Sequence, residues 1–384
     1  MARIKVGIIG MGFIGISHIE AVRRIGFADL IAVADSNNDL AMKRAADYCI
    51  PKCYNSIEEL LSDEDITVVH NCTPNNLHLE INEKIIKAGK HVFSEKPLGR
   101  TSDESYKMIE LLDANKNLAH AVNFNYRMNP LVQEMKNKVK NGEIGVPRLI
   151  HGSYLQDWLL FDTDYNWRLE PEINGPSRAI ADIGSHWMDC IQTVTGGKIT
   201  EVCADLLTVL PVRKKPKNQV ETFSVNTGSE FEEKKISTED YGAVLFKMDN
   251  GIHGVFYVSQ VSAGRKCGLN FEIDGSKASL YWNQETADHM WMGFRDRDNS
   301  QVMRNPNLMT PEARQYTYLA AGHPEGWNDA LKNNIYSFYR FISEGKLIDK
   351  DACDFATFYD GHYIMKIVEA ILKSNETKQW ERVV

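Results

Sequence analysis

The chain has 384 residues, 43% of them hydrophobic, and a formal charge of -8, so it is long enough for more than one core and carries no basic stripe to neutralise nucleic-acid phosphates. No apolar run approaches the roughly 18 residues of a membrane span, and the first residues lead into a strand rather than a signal peptide. Neither nucleic acid nor membrane is an expected partner, the cytoplasm is the expected compartment, and seven scattered cysteines offer neither a disulfide framework nor a metal site.

The first predicted strand, residues 3 to 9, carries Ile4, Val6, Ile8 and Ile9 and breaks into Gly10-Met11-Gly12-Phe13-Ile14-Gly15. Gly10 permits a tight turn, Gly12 lets the backbone approach a pyrophosphate, and Gly15 lets the following helix pack closely. The anion would rest on amides at the helix N-terminus. A second buried strand, residues 29 to 35, closes on Asp35, 20 residues past Gly15. A carboxylate there can accept from both ribose hydroxyls of NAD, whereas a 2′-phosphate would face repulsion of roughly 4 kcal/mol at an effective dielectric of about 20. Ser36, Asn37 and Asn38 follow, with no adjacent Arg or Lys to neutralise that phosphate, so the expected cofactor is NAD rather than NADP.

Ser56 with Glu59 and Thr101 with Glu104 read as capping boxes, and Gly89 ends another helix. Further buried strands fall at 66 to 72, 91 to 95 and 119 to 123, which makes the N-terminal part an α/β Rossmann domain with a doubly wound parallel sheet. Ligands of such sheets bind beyond the carboxyl ends of the strands. Two strand ends stand out: Thr73-Pro74-Asn75-Asn76-Leu77-His78 and Glu95-Lys96-Pro97. Lys96, partly desolvated beside a positively polarised nicotinamide, would have its pKa lowered toward acid/base work.

After about residue 125 the pattern changes. A helix is predicted from Pro130 to Gly142, then alternating strands, with Asp249-Asn250-Gly251 as the hairpin turn between Tyr241–Met248 and His253–Gln260. This is an α+β domain with a large open, mostly antiparallel sheet. Residues 212 to 240 are polar and without period, which predicts a long loop or insertion. Residues 327 to 344 and 354 to 373 are periodic enough for terminal helices. Within this part, Asp182-Ile183-Gly184-Ser185-His186 places an acid and a histidine four apart, on one face if helical. From spacing alone the segment reads equally as a helix cap with a packed histidine.

Together, the glycine loop, Glu95-Lys96-Pro97 and Asp182-Ile183-Gly184-Ser185-His186 resemble the Gfo/Idh/MocA oxidoreductases, which include glucose-fructose oxidoreductase and inositol dehydrogenases. The three motifs keep their order and spread over nearly the whole chain. The resemblance implies a Rossmann domain over 1–124 and a substrate-binding and oligomerisation domain over 125–384, with terminal helices that can pack back on the first. By it Lys96 contacts the reacting hydroxyl and the nicotinamide ribose, Asp182 positions substrate, and His186 accepts the proton. The Lys96-Pro97 bond is often cis in the family. Thr73, Pro74, Asn76 and His78 match its loop beside the cofactor, and Glu95 belongs to the cofactor-side motif with Lys96.

On the substrate side Tyr126-Arg127 and Trp167-Arg168 resemble family segments, Gln156, Asp157 and Trp158 follow a strand pointing to the same cleft, and His323 lies in Gly322-His323-Pro324-Glu325-Gly326-Trp327, found in longer sugar-active members. A sugar pocket needs such aromatic faces, amides and charges, although the same residues also read as core aromatics with solvated charges. The segments 212 to 240 and 283 to 326 depart from short members and would wall the pocket or mediate oligomer contacts. The implied activity is NAD-dependent oxidation of a secondary hydroxyl of a sugar, sugar derivative or cyclitol to a ketone, in a homodimer or homotetramer. The rivals are a non-catalytic cofactor-sensing regulator and a redox-neutral enzyme with tightly bound, recycling NAD.

Overall fold

A computed structural model describes residues 3–217 and 230–384, and its backbone divides into two units. The first runs to Met128 and includes Asn328–Tyr363; the second comprises Asn129–Trp327 and Ile364–Val384. No helix among the described residues is long and apolar enough to cross a membrane.

In the first unit β1 (Ile4–Ile9), β2 (Ala28–Ala34), β3 (Lys52–Tyr54), β4 (Val68–Asn71), β5 (His91–Ser94) and β6 (His120–Val122) form one parallel sheet in the order β3-β2-β1-β4-β5-β6. The order reverses between β1 and β4, so the loops leaving those strands flank the switch point where such sheets bind ligands. Helix α1 (Phe13–Arg23) follows β1, and α2 (Asn38–Asp47), α3 (Ile57–Ser62), α4 (His78–Lys87) and α5 (Ser102–Asp113) complete the alternation. The three-residue edge strand β3 was not legible beforehand, being too short to show a period.

Both predicted capping boxes form. Ser56 Oγ accepts the Glu59 amide and Thr101 Oγ1 the Glu104 amide, while each glutamate reaches back to the amide just before the cap, Asn55 or Arg100. Residues 328–363 return to the same sheet: Phe338 packs edge-on against Phe93 at 5.6 Å, and the Val122 amide donates to the Ala356 carbonyl at 2.8 Å.

The second unit opens with α6 (Pro130–Lys140) and builds a nine-stranded sheet. Its strands are β7 (Pro147–Leu155), β8 (Ile199–Leu207), β11 (Tyr241–Met248), β12 (His253–Ser259), β13 (Gly268–Gly275), β14 (Ala278–Asn283), β15 (His289–Phe294), β16 (Ser300–Met303) and β17 (Glu381–Arg382), in the order β16-β15-β14-β13-β7-β12-β11-β8-β17. Every pairing is antiparallel except β12 with β7, which run parallel and end side by side at Ser259 and Leu155. One face is covered by α7 (Ser185–Thr195), whose Trp187 stacks on Phe256 at 4.5 Å and donates from its indole to the Asn270 carbonyl. The other face leaves Leu149, Leu245, Val255 and Tyr257 exposed.

The segment expected to be a loop or insertion contains a two-stranded antiparallel ribbon, β9 (Val212–Pro216) with β10 (Phe231–Lys235). Residues 218–229 lie outside the described residues. Its strands escaped the periodicity reading because opposite charges, not apolar alternation, face each other: Lys215 opposes Glu232 and Lys214 opposes Glu233.

Candidate active site

The first unit holds the glycine loop. Gly10 leaves β1 at φ +97°, and a Cβ there would lie 2.7 Å from the Cys72 backbone just past β4. A Cβ on Gly15 would fall 2.1 Å from the Gly10 carbonyl oxygen, so this glycine lets α1 close on the turn. Gly12 is different. Its φ is -70°, and a Cβ would meet nothing within 4 Å, so the protein's own packing gives no reason for glycine there. Gly12 is also the N-cap of α1, with no capping side chain, no acid in the Phe13-Ile14-Gly15 turn, and an exposed Phe13. Asp35 closes the loop from β2: its Oδ2 accepts the Met11 amide at 2.6 Å and its Oδ1 the Asn37 amide at 2.8 Å, leaving acceptor capacity on both oxygens. An open cradle at a helix N-terminus, flanked by an oriented carboxylate, fits the pyrophosphate and ribose of NAD.

At the switch point the Thr73 hydroxyl donates to Asn71 Oδ1 at 2.7 Å, and Asn71 donates to Asn82 at 2.9 Å. This buried amide pair supports a loop in which Thr73, Pro74 and Asn76 remain partly exposed. His78 turns inward instead. Its Nδ1 lies 2.8 Å from the Pro97 carbonyl oxygen and its Nε2 2.9 Å from that of Thr73, so the ring pins the two strand-end loops together. Burial lowers its pKa, with the two carbonyls pulling the other way.

Glu95 also points inward, away from the loop surface. Its Oε1 takes His18 Nε2 at 2.9 Å and the Asn123 amide at 2.6 Å, and its Oε2 accepts the Lys96 amide at 3.2 Å. Burial alone would raise this carboxyl, yet His18, Lys96 and Asn123 hold it down at about 2. Behind it, His18 Nδ1 meets His70 Nδ1 at 2.8 Å, and His70 Nε2 meets the Tyr339 hydroxyl at 2.7 Å. Burial and His18 keep His70 well below its ordinary pKa, so it is neutral. Tyr339, His70, His18 and the ionised Glu95 thus form one continuous buried chain of polar contacts. The chain anchors the strand end from which the partly buried Lys96 emerges through a cis Lys96-Pro97 peptide. Tyr126 and Arg127 lie in a buried single turn, Asn125–Met128, beyond β6.

In the second unit Asp182 lies on one π-helical turn, Ile180–Gly184, that runs directly into α7, whose second residue is His186, and both side chains are largely buried. Asp182 Oδ2 accepts from Gln260 at 2.8 Å, and Arg168 Nε lies 3.5 Å from Oδ1. The Arg168 guanidinium stands 4.4 Å over Trp167 and 6.0 Å from Trp158, whose indole donates to Gln156 Oε1 at 2.8 Å. Asp182, Arg168, Trp167, Trp158 and Gln156 are thus one connected group, and the His186 ring lies 6.4 Å from Tyr154. Asp157 is spent on the connection between β12 and β13, accepting from the Gly264 amide and Lys266. His323 has an exposed side chain in a loop gathered around buried Arg304, which donates to the carbonyls of Leu319, Ala320 and His323.

The reading from sequence missed His18, His70, Asn123 and Tyr339 in the first unit and Gln260 and Arg178 in the second. A histidine inside the apolar runs of α1 and β4 was the available signal for the first pair. For Gln260 it was the position one residue past β12, mirroring Gln156 after β7.

Residues 4–124 match the oxidoreductase family with an NAD-binding Rossmann fold, and residues 132–281 match the GFO/IDH/MocA C-terminal domain. Levoglucosan dehydrogenase of Pseudarthrobacter phenanthrenivorans is 29% identical over 392 residues, spanning 99% of this chain and 98% of that protein. Glucose-6-phosphate 3-dehydrogenase of Bacillus subtilis is 25% identical over 98% of this chain and 97% of its own. Among solved structures, a levoglucosan dehydrogenase in complex with NADH and L-sorbose superposes with a TM-score of 0.89 at 28% identity, covering 100% of both chains. With both of its domains matched in order and its full length shared with such relatives, the chain belongs to the Gfo/Idh/MocA oxidoreductase family.

Proposed function

We propose that this protein oxidises a secondary hydroxyl of a sugar, sugar derivative or cyclitol to a ketone, with NAD preferred over NADP. The NAD-binding Rossmann domain and the oxidoreductase class are properties of the family; the residue roles and the cofactor preference are our reading. The observation that carries it is the Asp182–Arg168–Trp167–Trp158 group: aromatic faces suit the C–H surfaces of a sugar, while guanidinium and carboxylate suit its hydroxyls. NAD, when bound, accepts the hydride. Gly12 and the N-terminal turn of α1 would hold its pyrophosphate, and Asp35 its ribose hydroxyls.

Lys96 donates to the oxygen of the reacting hydroxyl and His186 takes its proton on a ring nitrogen, while Asp182 orients the substrate. Levoglucosan itself, or a related anhydro- or aldohexose, is the first candidate substrate, because a relative that shares 99% of this chain at 29% identity is a levoglucosan dehydrogenase. The exposed apolar residues on the open face of the large sheet support a homo-oligomer. The test is a panel of levoglucosan, D-glucose, glucose 6-phosphate and myo-inositol with NAD and with NADP, followed by reduced-nicotinamide absorbance. We expect turnover of at least one of these with NAD ahead of NADP, and losses of about 10² to 10⁴ in Lys96→Ala and His186→Ala. Near-normal turnover in either variant removes the role given to that residue, and NADP equal to NAD removes the role given to Asp35.

A further inference from the structure

Gln260 follows directly on β12, and its side chain is fully buried between two charged groups. Arg178 Nη1 lies 2.9 Å from one end of its amide and Asp182 Oδ2 lies 2.8 Å from the other. A guanidinium has only donors and an ionised carboxylate only acceptors, so the amide has one possible orientation: oxygen toward Arg178, NH2 toward Asp182. Arg178 is fixed in turn. It donates through Nη2 to Asp240 Oδ1 and through Nε to Thr238 Oγ1, and its own amide is taken by Glu239. The same Asp240 oxygen accepts from Arg213 at 2.8 Å, and Arg213 belongs to β9 of the ribbon. Gln260, Arg178, Asp240 and Arg213 are all completely shielded from water.

From this geometry we propose that Gln260 is a positioning residue for Asp182, clamped by Arg178–Asp240–Arg213, so that the charged ribbon between β8 and β11 serves as the outer anchor of the substrate-orienting carboxylate. The proposal rests on the role given to Asp182 above. An amide clamped at its oxygen by a guanidinium cannot rotate, and its polarised N–H favours the ionised carboxylate in a single orientation. In that arrangement Asp182 meets the substrate hydroxyl ready to accept, without first reorganising.

The test compares Gln260→Glu and Gln260→Met with Asp182→Asn in the full chain. Gln260→Glu keeps a partner for Arg178 while replacing the donor facing Asp182 by an acceptor, so it separates positioning from packing if Gln260→Met fails to fold. The first readout is the titration of the Asp182 carboxyl by carbon-13 NMR in aspartate-labelled protein, its resonance assigned by its absence in Asp182→Asn. The second is kcat and KM across pH on the best substrate of the panel above. We expect the Asp182 midpoint to move up by about one pH unit or more in Gln260→Glu, with kcat down about tenfold and the acid limb of its pH profile moved the same way. An unmoved midpoint in a folded Gln260 variant overturns the positioning role whatever Asp182 does. Wild-type turnover in Asp182→Asn overturns the role of Asp182, and with it any catalytic consequence of Gln260, even where the midpoint has moved.

Discussion

At the scale of single residues, the three glycines of the N-terminal loop have separable causes, and this makes them testable apart. Gly15 is required by the fold, since a methyl there would meet the Gly10 carbonyl oxygen at 2.1 Å. Gly12 is required by nothing inside the protein. Gly15→Ala should therefore lower stability by about 1 to 3 kcal/mol in urea unfolding. Gly12→Val should leave stability within about 1 kcal/mol of wild type yet weaken NADH binding at least tenfold, read by quenching or calorimetry. Unchanged NADH affinity in Gly12→Val would place the pyrophosphate elsewhere. The glycine pattern and Asp35 were legible because they sit within 26 residues of one another on consecutive elements. Glu95 was legible as part of a motif but not as a buried anion, because its environment is assembled from His18, 77 residues away, and Asn123, 28 residues away. Spacing along the chain carries no trace of such contacts.

Among the elements, the helix Phe358–Thr377 shows how a strand of the first unit supports a segment that returns from far along the chain. Thr357 and Asp360 form a capping box, with the Thr357 amide donating to Asp360 Oδ2 at 2.9 Å, and the Phe358 amide donates to His120 Nδ1 of β6 at 3.0 Å. His120 can accept only while that nitrogen is unprotonated, and a cation there would face the positive end of the helix dipole. Burial accordingly holds its pKa down at about 3, and the partly buried His91, whose Nδ1 accepts the Ala119 amide, sits at about 4. Both folded values lie below the ordinary 6.5, so the unfolded chain binds more protons between them. Stability is then complete above about pH 6.5 and falls as the pH drops toward 4, by about 1.4 kcal/mol per pH unit for each histidine. Glu95, held at about 2, adds its loss only below the ordinary glutamate value of 4.5. Urea midpoints between pH 7 and 5 should fall accordingly, and His120→Asn, which keeps an acceptor but cannot charge, should flatten the slope by about one proton. A slope unchanged in that variant would show that His120 is not held neutral. The capping boxes at Ser56 and Thr101 were readable because a cap is local, whereas the His120 contact joins residues 238 apart.

For the whole molecule, the division of labour follows from two kinds of sheet. A parallel sheet collects the carboxyl ends of its strands on one edge, so Gly10, Asp35, Thr73 and Lys96, each just past a different strand, share one rim of the first unit. The mostly antiparallel sheet of the second unit offers its face instead, and there the Asp-His motif rides on a helix laid across it. That architecture was legible in the alternation of strands and helices up to residue 123 and in the hairpin at Asp249-Asn250-Gly251. It failed at the ribbon, where charges pair across strands in place of an apolar stripe. The consequence for the dinucleotide is specific. NADH at a hundredfold excess over its Kd should stabilise the groups that hold it by about 2.7 kcal/mol, an up to roughly hundredfold slowing of hydrogen exchange. That protection should concentrate in residues 9–16, 34–38, 71–78 and 94–98, where four strands of the first sheet end, and leave β13 to β16 exchanging as before. Exchange slowed chiefly in β13 to β16 would mean that the rim of the parallel sheet is not where the dinucleotide is held, since a ligand bound there can rigidify only what its contacts hold directly or through packed neighbours.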